Sequence, residues 1–205
     1  MTPDEVAAAV AAGAAVLDLR APRPFAREHL PGAVTMQFNR ADLADRAELV
    51  LPRDVPLVIH AEPEPIARVA CELVAGAGFR VAGRLDGGLV AWKAAGRPTV
   101  ELPLLDVDEL REQLDALEVL DVREPFEFRH GHIPGARLLP SGEAWSRLAE
   151  LPAGRVIAVV CGDQTRSAAV ASMLQRAGHD VRLVMGGMVD WLERGYPIER
   201  EPARV

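Results

Sequence analysis

Short β-rich runs and stretches of helical period alternate along the chain, and the whole alternation occurs twice. "AAVLDLR" (14–20) and "LEVLDVR" (117–123) are brief apolar runs and predict strands. "VPLVIH" (55–60) and "RVIAVVC" (155–161) are apolar at successive positions, as central parallel strands buried on both faces are. "DEVAAAV" (4–10) and "DVDELREQL" (106–114) open on acidic residues and predict helices. "EPIARVACELVAGAG" (64–78) and "TRSAAVASMLQRAG" (165–178) are helical stretches ended by glycine. "FRVAGRL" and "DVRLVM" add one more strand to each half, and a Gly-Gly pair then opens a tryptophan-bearing helix. Such alternation predicts an α/β fold with parallel sheets covered on both faces.

The repeat is visible residue by residue. "VLDLRAPRPFAREHLPGA" (16–33) matches "VLDVREPFEFRHGHIPGA" (119–136) at constant offset, and "GGLVAWKAAGRP" (87–98) matches "GGMVDWLERGYP" (186–197). A repeat this long is a domain rather than a solenoid unit. The expected domains are 1–99 and 104–200, joined by "TVELPLLD" and followed by a short tail.

Composition narrows the classes. Of 205 residues 49% are hydrophobic and 26% charged, enough for buried cores in an ordinary globular chain. The formal net charge is −7, with 30 acidic and 23 basic residues, which argues against a nucleic-acid or anionic-membrane partner. No apolar run reaches the roughly 18 residues that a membrane span needs. Asp4 and Glu5 stand where a secretion signal carries basic residues, so the expected location is the cytoplasm. Two cysteines build no disulfide framework, and no Cys/His set has metal spacing.

The candidate chemistry sits in "VIAVVCGDQTRSAAVASML" (156–174). Ligands of parallel sheets bind at the carboxyl ends of strands, often at a helix start. Cys161 falls at that place. Amides at a helix start lack intrahelical partners and favour negative charge, so a thiol there is expected to ionise readily. Gly162, Asp163, Gln164, Thr165 and Arg166 then form a candidate substrate cradle, with Arg166 able to add positive charge. A nucleophilic sulfur facing such a cradle suits attack on an oxyanion, or stabilisation of a persulfide, Cys–S–S⁻.

The motifs "LDVREPFEFRHGHIPGA", "VVCGDQTRSAAVASMLQRAG" and "GGMVDWLERGYP", in that order, resemble those of tandem rhodanese-domain proteins of the sulfurtransferase family. The resemblance spans nearly the whole chain. It implies two rhodanese-like domains, each a roughly five-stranded parallel sheet flanked by helices. It implies a catalytic cysteine, Cys161, that cycles between thiol and persulfide without a cofactor or metal. The family's loop commonly reads Cys-Arg-x-Gly-x-Arg. Here Gly162 stands where Arg is common and Gln164 where Gly is common, and Asp163 adds negative charge that a thiosulfate donor would meet.

The amino-terminal half lacks the thiol. Ala61 or His60 falls at the position of Cys161, depending on a one-residue gap. Pro63 and Pro65 donate no N–H, and Glu62 and Glu64 would repel an anion, so this half is expected to be inactive. The pairs Asp18/Arg20 and Asp121/Arg123, His29 and His132, and Trp92 and Trp191 occur in both halves, and therefore predict structural roles. Cys71, in mid-helix, predicts the same. Glu124 occurs only in the second half and is a candidate to reach the cradle.

The leading expectation is a sulfurtransferase taking sulfane sulfur from thiosulfate, mercaptopyruvate or a persulfide, on a small molecule or a protein, and passing it to a thiol- or cyanide-type acceptor. A non-catalytic sulfur-carrier or interaction module is the alternative. A phosphatase or arsenate reductase fits less well, because only four residues separate Cys161 from Arg166, a loop sized for one sulfur rather than a tetrahedral oxyanion.

Overall fold

The computed structural model describes residues 1–152 and 154–200; the tail residues 201–205 lie outside the described set. The chain separates into two units, Met1–Glu101 and Leu102–Val205. The first contains α1 (Pro3–Ala11), β1 (Ala15–Asp18), α2 (Pro22–Arg27), β2 (Val34–Thr35), α3 (Leu43–Val50), β3 (Leu57–His60), α4 (Glu64–Gly76), β4 (Val81–Arg84) and α5 (Gly88–Ala94). The second contains β5 (Leu104–Leu105), α6 (Val107–Glu112), β6 (Glu118–Asp121), α7 (Pro125–His130), β7 (Arg137–Leu138), α8 (Ala144–Arg147), β8 (Ile157–Val160), α9 (Thr165–Arg176), β9 (Val181–Val184) and α10 (Gly187–Glu193).

Both sheets are parallel throughout. Their orders are β2-β1-β3-β4 and β5-β9-β8-β6-β7. The first thus has four strands rather than about five. The difference lies at one edge. Leu104 and Leu105 pair with Leu183 and Val184, whereas among the described residues no strand pairs with the corresponding edge of the first sheet; Met1 lies there, its amino group donating to the Arg84 carbonyl and its carbonyl accepting the Asp86 N–H. One residue cannot make a strand. The segment that joins the repeats therefore has structure of its own, since Val100 also bridges to His29.

Helix starts follow local chemistry. Thr2 with Glu5, and Asp106 with Glu109, form reciprocal caps that satisfy the first free amides of α1 and α6. In α9 every residue from Ser167 to Leu174 is buried. The small side chains there let the helix lie close against β8 and β9. On one face of the second sheet, Val119, Ala158, Val160 and Val184 pack with Met188 and Trp191.

The duplicated polar residues hold the strand ends. Asp121, at the end of β6, is fully buried and takes three hydrogen bonds from the Arg123 guanidinium, at 2.7, 3.0 and 3.0 Å. Arg123 also donates to the Gly131 carbonyl at 2.8 Å, tying the last turn of α7 to the sheet. Asp18, Arg20 and the Glu28 carbonyl repeat this in the first unit. His29 and His132 stack on Phe25 and Phe128 and bond their carbonyls. Trp92 and Trp191 are core residues whose indole N–H groups donate to Pro98 and Pro197. Among the described residues, no helix is long and apolar enough to cross a membrane.

Replacing Asp121 with Ala leaves a buried guanidinium unpaired. The expected loss is about 3–5 kcal/mol of unfolding free energy, measured by urea titration. A loss under about 1 kcal/mol, the range of an exposed pair, would contradict this structural role.

Candidate active site

β8 ends at Val160 and α9 begins at Thr165, so Cys161 leads directly into the loop. The loop is shaped by hydrogen bonds on its outer side. The Cys161 carbonyl accepts the Met188 N–H at 2.8 Å, and the Gly162 carbonyl accepts the Val189 N–H at 3.1 Å. Both donors are free amides in the first turn of α10. This contact requires a bare Gly187, because a Cβ there would overlap both carbonyl oxygens. The Gly-Gly motif thus has a steric cause.

Pinning these carbonyls orients their peptide planes. In a trans peptide the N–H points opposite to the C=O, so the Gly162 and Asp163 N–H groups turn away from α10. Among the described residues, the N–H groups of Gly162, Asp163, Gln164 and Arg166 meet no acceptor. The Ser167 N–H donates to Cys161 Sγ at 3.3 Å, and Ser167 Oγ lies 3.4 Å from the same sulfur. Cys161 is 0% exposed, with a carboxylate oxygen of Asp163 4.0 Å from its sulfur.

Gln164 adopts φ 83°, the left-handed region. That conformation costs a side-chain-bearing residue roughly 1–2 kcal/mol, which accounts for glycine being usual there. Here it is held by the Gly186 N–H, which donates to Gln164 Oε1 at 3.1 Å, and by the Ala168 N–H on the Gln164 carbonyl.

The polar side chains are paired differently from the sequence-based expectation. Asp163 Oδ1 accepts the Thr165 N–H at 3.0 Å, taking one cradle donor. Arg166 forms a two-pronged pair with Glu127 of α7, at 2.6 and 2.9 Å. Glu127, not Glu124, forms the ion pair with Arg166, and Glu124 contributes only a weaker charge effect on it. Arg166 beside it, with the Glu124 N–H, holds the Glu127 carboxyl down at about 2, and Glu127 in turn raises the Arg166 pKa. Glu124 stands at the N-cap of α7. The signal for Glu127 was the "EPFEF" segment, where Pro125 after Glu124 marks a short helix start. Cys71 sits half-buried in α4, where burial pushes its thiol up.

Strand register settles the amino-terminal alignment. His60 lies opposite Asp18 as Val160 lies opposite Asp121, so Ala61 occupies the place of Cys161. His60 is 1% exposed, its ring nitrogens have no hydrogen-bond partner, and burial pushes its pKa down. A cavity of about 330 Å³ persists at this end of the first sheet, lined by Leu19, Phe38, Ile66 and Glu62 among others, with no thiol.

A profile of the rhodanese-like domain matches residues 2–95 and again 106–194. The chain belongs to the rhodanese family. Among relatives of this rhodanese, a putative thiosulfate sulfurtransferase, SseB of Mycobacterium tuberculosis, is 26% identical and aligns over 82% of this chain and 81% of its own length. A probable adenylyltransferase/sulfurtransferase of the same organism, MoeZ, is 38% identical over 43% of this chain, and the match spans only 24% of that protein. The putative sulfur carrier YrkF of Bacillus subtilis is 33% identical over 44% of this chain and 51% of its own length. The crystal structure of a thiosulfate sulfurtransferase from Pseudomonas aeruginosa is 27% identical, covering all of this chain and 44% of that one, with a TM-score of 0.46.

Gly187→Ala should displace the loop carbonyls and cost about 1–3 kcal/mol of stability by overpacking; thermal and urea unfolding measure it. The Glu127 ion pair stabilises through a depressed carboxyl. Its contribution is full above the ordinary value of 4.5 and is lost as pH falls through about 2. Glu127→Gln should therefore be less stable than wild type at neutral pH, with the gap closing between about pH 4.5 and 2 in urea titrations.

Proposed function

We propose that this rhodanese is a sulfurtransferase with Cys161 as its nucleophile. The observation that carries the reading is the Cys161 sulfur accepting the Ser167 N–H inside a loop whose other amides are unspent. The thiolate attacks the outer sulfur of a donor. The donor's bond to that sulfur breaks, its electron pair leaves with the donor, and Cys161–S–S⁻ remains. The free N–H groups of Gly162, Asp163, Gln164 and Arg166 hold the terminal sulfur anion, as an oxyanion hole holds oxygen. A nucleophilic acceptor, a thiol or cyanide, then takes that sulfur and returns the thiolate, which gives ping-pong kinetics. None of these steps uses a cofactor. The pairing of Arg166 with Glu127 weighs against a phosphatase or arsenate reductase, since a tetrahedral dianion needs that guanidinium.

A second reading, a sulfur carrier that loads once and hands on to a partner protein, draws support from the complete cover over Cys161 and from the relative named as a putative sulfur carrier.

Intact-mass analysis after incubation with thiosulfate, mercaptopyruvate and organic persulfides tests the site. A one-sulfur adduct is expected on the native protein and on Cys71→Ser, and none on Cys161→Ser. An adduct that follows Cys71 would overturn the assignment. Steady product release separates an enzyme from a carrier, which yields one equivalent.

A further inference from the structure

We propose that Asp163 and Glu127 make this loop selective for a low-charge organic persulfide, R–S–SH, over an oxyanion donor such as thiosulfate. The inference rests on the sulfurtransferase reading of Cys161. Two observations carry it independently. First, a carboxylate already stands at the loop: Asp163 Oδ1 lies 4.0 Å from Sγ and takes the Thr165 N–H at 3.0 Å. It occupies a backbone donor that a sulfonate oxygen would use. Second, the loop's one cation is spent elsewhere. Both terminal nitrogens of Arg166 are engaged by the Glu127 oxygens, at 2.6 and 2.9 Å. Gly162 and Gln164 add no charge, and the Gln164 side-chain oxygen is committed to the Gly186 N–H.

A thiosulfate dianion would thus approach a thiolate and a carboxylate with no uncompensated cation from this loop. Like charges placed together cost binding and suppress the wrong partner. A persulfide makes a smaller demand. Only its outer sulfur enters, and the remaining backbone N–H groups suffice for one sulfur. In the transfer, the Cys161 thiolate attacks the outer sulfur of R–S–SH. The donor S–S bond breaks, its electron pair leaves as R–S⁻, and the proton stays on the transferred sulfur as Cys161–S–SH, which then releases it to solvent to give the Cys161–S–S⁻ that the amides hold. No oxidant or reductant is consumed.

The test compares kcat/KM for thiosulfate, a dianion, and for cysteamine persulfide, whose ammonium balances the ionised sulfur. Wild type should favour the persulfide. Asp163→Asn keeps the oxygen that accepts from Thr165 while removing the charge. It should raise the thiosulfate-to-persulfide ratio at least about tenfold. Glu127→Gln, which frees Arg166, should move the ratio in the same direction and serves if the first variant folds poorly. Added salt should speed wild type toward thiosulfate by screening, and do so less in Asp163→Asn. A merely structural role would lower both rates and leave the ratio and its salt dependence alone. A ratio constant within about threefold in both variants, or a wild-type preference for thiosulfate, would overturn the proposal. Absence of a Cys161 adduct with either donor overturns the sulfurtransferase reading itself, and this inference with it.

Discussion

Two peptide carbonyls, those of Cys161 and Gly162, set the rest of the site. The first amides of α10 hold them on one side of the loop, and planarity of the peptide bond sends the following N–H groups to the other. The sheet supplies the position, since β8 delivers its last residue to the carboxyl edge where α9 and α10 both begin. Gly187 supplies the clearance. A side chain on that glycine would push the loop off α10, and the peptide planes would turn with it. The orientation of the loop's unpaired N–H groups is therefore fixed by a contact on the opposite side of the backbone.

The first unit shows which interactions recur where the loop carries no thiol. Asp18 and Arg20, His29 on Phe25, and Trp92 on Pro98 reproduce their second-unit counterparts nearly bond for bond. These interactions fasten strand ends and the closing helix, and none involves the loop. The loop itself differs: Pro63 and Pro65 stand in it, Glu62 lies near His60, and Ala61 occupies the place of Cys161. The residues that fasten the fold are thus not those of the candidate site.

Much of this was legible before any coordinates. A β-rich run stopping at Cys161, a polar loop and a helical period placed the thiol at a strand's carboxyl end, and recurrence in both halves marked Asp121, Arg123 and Trp191 as structural. What escaped was short or context-dependent. α7 is a six-residue helix opened by proline, too brief to show a period, and Glu127 went unnoticed with it. β2 and β7, two residues each, are the short strands expected after the Pro-Gly turns of "HLPGAV" and "HIPGAR", marked by those turns and not by a period of their own. The edge strand β5 came from the segment read as a joint, because pairing with β9 is a tertiary event. The left-handed turn at Gln164 was hinted only by the glycine usual there; no propensity of glutamine predicts it.

The cover over Cys161 has a consequence for the lifetime of the protein. A thiolate exposed to peroxide climbs from sulfenic to sulfinic acid, and the second step is generally irreversible. Here the sulfur presents no surface to solvent. Peroxide therefore reaches it only when the groups packed around the sulfur part. On the proposed sulfur-transfer reading, oxidative damage and loading compete for that access, and a plentiful donor protects the very atom it reacts with.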